Sequence, residues 1–157
     1  MKKKLDNFDK AILKAIQPDC RISNKKLGAE IGLTETPVQV RIQNMYKEGY
    51  IKRFAAILDP NKIGLELIAY VHVKLQDHSE NHVSDYQDEA MKMNEVLEFY
   101  HVSGSIDFIM RIAVKNMKEW KTIFNRLIKM PGLPHYETHF VMSEVRCETA
   151  YYIGGWN

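Results

Sequence analysis

Residues 21–49 read RISNKKLGAEIGLTETPVQVRIQNMYKEG, and their spacing decides the fold of the first third of the chain. Ser23 is an N-cap type of residue, Leu27 and Ile31 stand four apart on one face, and Gly32 supplies a left-handed stop. Together they predict a short amphipathic helix. After Leu33 a second helix begins at Thr34 or Thr36. Thr36-Pro37 has the local logic of a cap followed by proline at the first helical position, whereas Thr34 gives the longer helix. Proline fits either register, because first-turn amides have no intrahelical partner. Val38, Ile42 and Met45 form the inward stripe, and Gly49 ends the helix.

At about 100° per residue, Thr36, Val40, Gln43, Asn44 and Lys47 lie opposite that stripe. Uncharged hydrogen-bonding side chains on a helix raised by a small scaffold suit the DNA major groove. Thr, Asn and Gln read base edges, and a small apolar side chain such as Val40 touches a thymine methyl. Lys47, at the far end, is placed for a phosphate, while Gln39 and Arg41 sit on the two flanks. The candidate DNA-binding residues are Arg21, Ser23, Lys25, Thr34, Thr36, Pro37, Gln39, Val40, Arg41, Gln43, Asn44 and Lys47. A merely solvated helix face is the alternative, and the preceding helix, the turn length and the local charge weigh against it.

The net charge of +2 says little until the chain is divided at Pro60. Residues 1–60 hold 12 basic and 7 acidic side chains, net +5, and residues 61–157 hold 10 basic and 13 acidic, net −3. A basic head on a neutral or acidic body is a pattern of nucleic-acid binding. Lys2, Lys3, Lys4, Arg21, Lys25, Lys26, Lys52 and Arg53 are candidate phosphate contacts that would fix register without reading sequence.

A third helix completes the head. Leu5-Asp6 resembles a hydrophobic residue before an N-cap, Asp9 sits in the first turn, and Phe8, Ile12, Leu13 and Ile16 have helical spacing. Pro18-Asp19 ends it. Tyr50–Leu58 is strand-prone, so the head is expected to be a winged-type helix-turn-helix. Asp59-Pro60 and Gly64 mark a turn and hinge. The expected organisation is a DNA-binding head over residues 1–50, a strand and hinge linker over 51–64, and a body over 65–157.

In the body, Leu67, Ala69, Val71, Val73 and Leu75 alternate strictly, which predicts a strand with one buried face. Val83, Tyr86, Ala90 and Met93 step by three and four, a helix. Val96–Ser103 and Asp107–Val114 read as strands around the tight Gly104-Ser105-Ile106 turn. Met117, Trp120, Phe124, Leu127 and Ile128 make a second amphipathic helix, ended by Pro131-Gly132. His135–Val145 supplies a fourth strand, and Thr149–Ile153 is expected to add a short edge. The order β-α-β-β-α-β is the split βαβ arrangement, a four-stranded antiparallel sheet with both helices on one face, so the fold class is α+β. Ile68, Tyr70 and Ile109, mixed with His72 and Arg111, project to the other face. A second copy of the chain is expected to cover it.

Over nearly its full length the sequence resembles the leucine-responsive and asparagine-regulator (Lrp/AsnC, "feast/famine") family of transcription regulators. The matching pieces are L-D-x-x-D-x-x-I-L at Leu5–Leu13, R-I-S-N-x-x-L-x-x-x-I-G-L-T at Arg21–Thr34, and the run through Arg41 to E-G-Y-I at Glu48–Ile51. In the body they are E-V-L-E-F-Y at Glu95–Tyr100, G-x-x-D at Gly104–Asp107, Pro131-Gly132, T-x-F at Thr138–Phe140 and E-V-R at Glu144–Arg146. The resemblance implies a helix-turn-helix head on a ferredoxin-like body that dimerises, with dimers commonly assembling into larger, octamer-like rings. It also implies binding to double-stranded operator DNA, often modulated by an amino acid held between bodies. Several heads on one ring raise effective affinity without new contacts.

Departures limit what transfers. Relatives often carry a basic side chain where this chain has Val40, so a target sequence does not carry over. Within the G-x-x-D turn, an acidic and an aromatic residue are replaced by Ser105 and Ile106, and a threonine paired with a small hydroxyl residue becomes Thr138-His139. Asp107 remains, and a carboxylate accepts hydrogen bonds from an α-ammonium group, while Thr138 and nearby amides suit a carboxylate. The candidate effector-binding residues are therefore Gly104, Ser105, Asp107, Thr138 and His139. A plain hairpin turn is the alternative for Gly104–Asp107.

Two other function classes are weighed. An enzyme on the same scaffold would resemble tetrapyrrole (siroheme) decarboxylases, with His72, His101, His135 and His139 lining a cavity. Their spacing matches no metal-ligand motif, and no nucleophile elbow, phosphate loop or paired-carboxylate motif is present, so no catalytic residue, metal ligand or cofactor is assigned. A ligand-binding modulator without DNA binding would lack the polar-faced second helix. Cys20 and Cys147 are far apart with no C-x-x-C pair, which supports neither a disulfide framework nor a zinc site. No apolar run is long enough to span a membrane and no signal-peptide pattern is present, so a reducing cytoplasm is expected.

Overall fold

The computed structural model of the chain describes residues 4–76 and 79–153. Backbone proximity divides it into two units, one holding the residues up to Ala56 together with those from Arg146 on, the other Ile57–Val145.

The first unit is built on α1 (Asn7–Ile16), α2 (Asn24–Ile31) and α3 (Glu35–Lys47). Helix α1 starts at Asp6 in a reciprocal capping box: Asp6 accepts from the Asp9 amide at 2.8 Å, and Asp9 accepts from the Asp6 amide at 3.2 Å. Ser23 caps α2 by accepting from the Lys26 amide, and Gly32, at φ 77°, ends it. Helix α3 begins at Thr34, the longer of the two registers, although the Thr34 hydroxyl makes no capping bond. Ile12, Leu27 and Val38 are fully buried where the three helices meet, with Ile16, Met45 and Ile51 around them. Each such side chain contributes about 1.5–3 kcal/mol by leaving water. The tail returns to this unit: Gln17 donates to the Tyr151 carbonyl and accepts from the Tyr151 amide at 2.7 Å.

Two sequence expectations fail here. The strand over Tyr50–Leu58 does not form, and neither does the edge at Thr149–Ile153; both segments are irregular. A strand exists through its ladder, and the single sheet of the described residues is the four-stranded one of the second unit. The head is thus three helices without the expected wing strands. Lys2 and Lys3 lie outside the described residues.

The second unit opens with a 3-10 turn (Asn61–Ile63) closed by Gly64, then runs β1 (Leu67–Lys74), α4 (Glu80–Met91), β2 (Val96–His101), β3 (Phe108–Val114), α5 (Met117–Leu127) and β4 (His135–Phe140). The strands lie in the order β2-β3-β1-β4, all pairs antiparallel, with a register shift between Val96 and Glu98. Ala69, Val71, Val73, Phe108, Met110 and Ile112 form the covered face, against Tyr86 and Ala90 of α4 and Trp120, Ile123 and Leu127 of α5. Burial of the Tyr136 hydroxyl, which donates to the Leu127 carbonyl, pushes its pKa up to about 12. β4 is shorter than the expected His135–Val145. Its pairing ends where the Val141 amide donates to the Ile68 carbonyl, one residue inside the start of β1, because no partner strand remains beyond. The other face of the sheet carries Tyr70 and Tyr100, both exposed, with Ile68, Ile109, Arg111 and His72 half-buried.

Candidate nucleic-acid interface and effector region

Helix α3 points its inward stripe, Val38 and Met45, into the core, which leaves the opposite side to solvent. Thr36, Pro37, Gln39, Val40, Gln43, Asn44 and Lys47 are all exposed, as is Thr34 at the cap. Val40 is 48% exposed in the middle of this polar surface, so about half of an apolar side chain is left in water. Arg21, Ser23, Lys25 and Lys26, at the start of α2, are exposed too. Arg21 pairs with Asp19 at 3.0 Å, and its guanidinium holds the Asp19 carboxyl below the usual carboxylate range. The Arg21 side chain is 88% exposed, so this pair exchanges readily for a phosphate.

Arg41 belongs elsewhere. Its Nη1 donates to Asp9 and to Asp6, both at 2.7 Å, and its guanidinium lies 5.4 Å from the centre of the Phe8 ring. Asp9 raises the Arg41 pKa, Asp6 adding to it; the Asp9 amide, with Arg41, keeps the Asp6 carboxyl below its ordinary value. Arg41 therefore ties α3 to the start of α1, with its guanidinium engaged by two carboxylates at the flank of the expected reading face. Gly28 was invisible to sequence reasoning. A Cβ there would stand 2.5 Å from the Leu33 carbonyl oxygen, so only glycine lets the turn fold back on α2, where the Leu33 amide donates to the Gly28 carbonyl.

The effector candidates do not converge within one chain. Gly104 (φ 121°) and Ser105 are exposed in the β2–β3 turn. The Asp107 carboxylate accepts from the Leu75 amide at 2.7 Å and the Asp107 amide donates to the Val73 carbonyl, so this aspartate pins the end of β1. The bond to Leu75 engages one Asp107 oxygen and gives the side chain a structural role beside the expected one. Thr138 and His139 lie on β4, separated from β3 by β1, about 10 Å away at ordinary strand spacing. Thr138 pairs with Val71 on the covered side, while His139 pairs with Tyr70 and faces the open side.

Among the described residues no helix is long and apolar enough to cross a membrane. Family comparison matches residues 5–45 to the AsnC-type helix-turn-helix domain and residues 68–151 to the Lrp/AsnC ligand binding domain. The chain is 34% identical to the DNA-binding transcriptional activator DecR of Escherichia coli K12, over 93% of this chain and 97% of that protein. It is 32% identical to the proline dehydrogenase transcriptional activator of Rhizobium radiobacter, over 90% and 92%. In structure it is similar to a transcriptional regulator of Neisseria meningitidis solved in complex with L-Met, with a TM-score of 0.90, 23% identity, and coverage of 96% of this chain and 98% of that one.

Proposed function

The chain belongs to the Lrp/AsnC family of DNA-binding transcriptional regulators, and we propose that its α3 enters the major groove of an operator and reads it through Thr36, Val40, Gln43 and Asn44. The observation that carries this reading is the solvent face of α3, where Thr36, Gln43 and Asn44 flank the half-exposed Val40. Lys25, Lys26, Arg21 and Lys47 meet phosphates at the two ends of the reading surface. Replacing Gln43 and Asn44 together by Ala tests it. Discrimination between operator and random DNA falls by more than overall affinity does if they read bases. Equal loss on both DNAs removes them from that role.

The open sheet face is covered by a second copy of the chain, since Tyr70, Ile68 and Ile109 otherwise form an apolar patch in water. Dimers carry the heads in pairs, and rings of dimers follow from further contacts of the same bodies. An amino-acid-type effector binds between bodies. Its support is the matched ligand-binding domain, the L-Met held by the Neisseria protein, and the placement of the candidate residues on the turn and the far strand. Ser105 and Gly104 approach the ligand from one copy and His139, with the backbone near Thr138, from another. A thermal-shift panel of free amino acids checks this. At least one raises Tm and loses its effect in Ser105→Ala, whereas a flat panel eliminates the effector.

A further inference from the structure

The register of β1 against β4 brings together two imidazoles and a carboxylate that no local motif announces. His72 on β1 sits opposite Glu137 on β4, and His139, two residues on, shares the Glu137 face. One potential ligand atom from each of the three lies within 4.8 Å of the other two. His139 Nε2 stands 3.3 Å from Glu137 Oε1, and the His72 and His139 rings are tilted by 54° with centres 4.9 Å apart. In a tetrahedral site with metal–ligand bonds of 2.0–2.2 Å, neighbouring ligand atoms are about 3.4 Å apart. The His139–Glu137 pair, at 3.3 Å, already has that edge, and His72, within 4.8 Å of both, reaches it by closing at most about 1.4 Å.

We propose that His72, Glu137 and His139 form a binding site for a divalent first-row transition ion of the Zn²⁺ class, on the open face of the sheet. Two imidazole nitrogens and one carboxylate oxygen are borderline donors that favour such an ion over Mg²⁺ or Ca²⁺, which take oxygen-rich shells. The surroundings favour occupancy. On its other side His72 pairs with Ile109, which offers no competing ligand, and Arg111, the nearest arginine on this face, is committed to Glu98 at 2.6 Å. Lys74, one rung further along β1, pairs with His135 and is exposed to solvent. All three ligands come from one chain, so the site stands whether or not a second copy covers the face. The ion clamps the edge strand β4 to β1 and leaves a fourth position for water or a facing residue. In this way metal supply would act on the body of the regulator and, through the shared His139, on the amino-acid effector proposed above.

The test is a titration of the tag-free, chelator-treated full chain with Co²⁺, read by its visible d–d absorption, with Zn²⁺ as competitor and Mg²⁺ as control. One Co²⁺ binds per chain, Zn²⁺ displaces it and Mg²⁺ does not. His72→Gln, Glu137→Gln and His139→Gln each weaken binding by at least about tenfold, while His101→Gln, on the opposite face, leaves it unchanged. Circular dichroism and metal-free Tm of each variant establish that it is folded. Should His72→Gln fail to fold, His139→Gln on the exposed edge strand carries the test. Absence of stoichiometric binding, or a spectrum that survives His139→Gln, overturns the proposal.

Discussion

Replacing Arg41 by Met separates a structural arginine from a phosphate-binding one. The hydrogen bond to Asp9, whose side chain is only 7% exposed, is charge-assisted and sheltered, and such bonds contribute about 1.5–3 kcal/mol. The one to Asp6 is nearly half in solvent and adds about 0.2–1 kcal/mol after screening. The cation–π contact on the exposed Phe8 ring adds about 0.5–1 kcal/mol, part of which a methionine thioether recovers. The expected loss is about 2–4 kcal/mol, read by urea unfolding followed by circular dichroism. In a double-mutant cycle with Asp9→Asn the two losses are strongly non-additive, because each variant already lacks the same contact. Binding to DNA well below the transition then reports the second half of the claim. The slope of log affinity against log salt stays at the wild-type value for a structural arginine and shrinks by about 0.9 for one on a phosphate. A stability loss below about 0.5 kcal/mol, or a smaller salt slope, refutes the assignment.

Gly28→Ala drives a methyl into the Leu33 carbonyl; about 1–3 kcal/mol of overpacking exceeds the roughly 1 kcal/mol that alanine gains in a helix, so Tm falls. Differential scanning calorimetry checks this, and an unchanged or raised Tm contradicts the close approach. Asp6 has a folded-state pKa below its unfolded value of 3.8, held there first by the Asp9 amide. Its stabilisation is complete above the unfolded value and disappears as pH falls through the lower, folded one. Asp6→Asn, which keeps the cap, should therefore lower Tm at neutral pH and converge with the wild type in acid; a constant offset at all pH values contradicts the linkage. Tyr70→Glu with Ile109→Glu places charge on the open sheet face; the parent chain is expected to sediment as a dimer and this variant as a monomer. Persistence of the dimer moves the interface elsewhere.

Legibility followed the range of the interactions. The α3 face was readable because a 3.6-residue period assigns Val38 and Met45 inward and Gln43 and Asn44 outward with no knowledge of partners. Strict alternation in Leu67–Leu75 identified β1 for the same reason. The tie of Arg41 to Asp6 and Asp9 was not legible, because they stand 35 and 32 positions away and no local pattern encodes that pairing. Ile51, Phe54, Ile57 and Leu58 look strand-like, yet β-propensity describes a fit to a neighbouring strand, and none lies beside them among the described residues. Thr138 and His139 were grouped as one site, although successive residues of a strand face opposite sides of the sheet. The grouping of His72 and His139 with Glu137 was not legible, because strand register, rather than spacing in the sequence, brings them together.

The central claim is that α3 selects a DNA sequence, and the most direct measurement is a selection. The purified full chain is incubated with a random-sequence duplex library at physiological salt, and the bound fraction is sequenced. The account predicts enrichment of one motif with two-fold symmetry, lost when Gln43 and Asn44 are both alanine while weak, salt-sensitive binding persists. A bound pool indistinguishable in sequence from the starting library would contradict it.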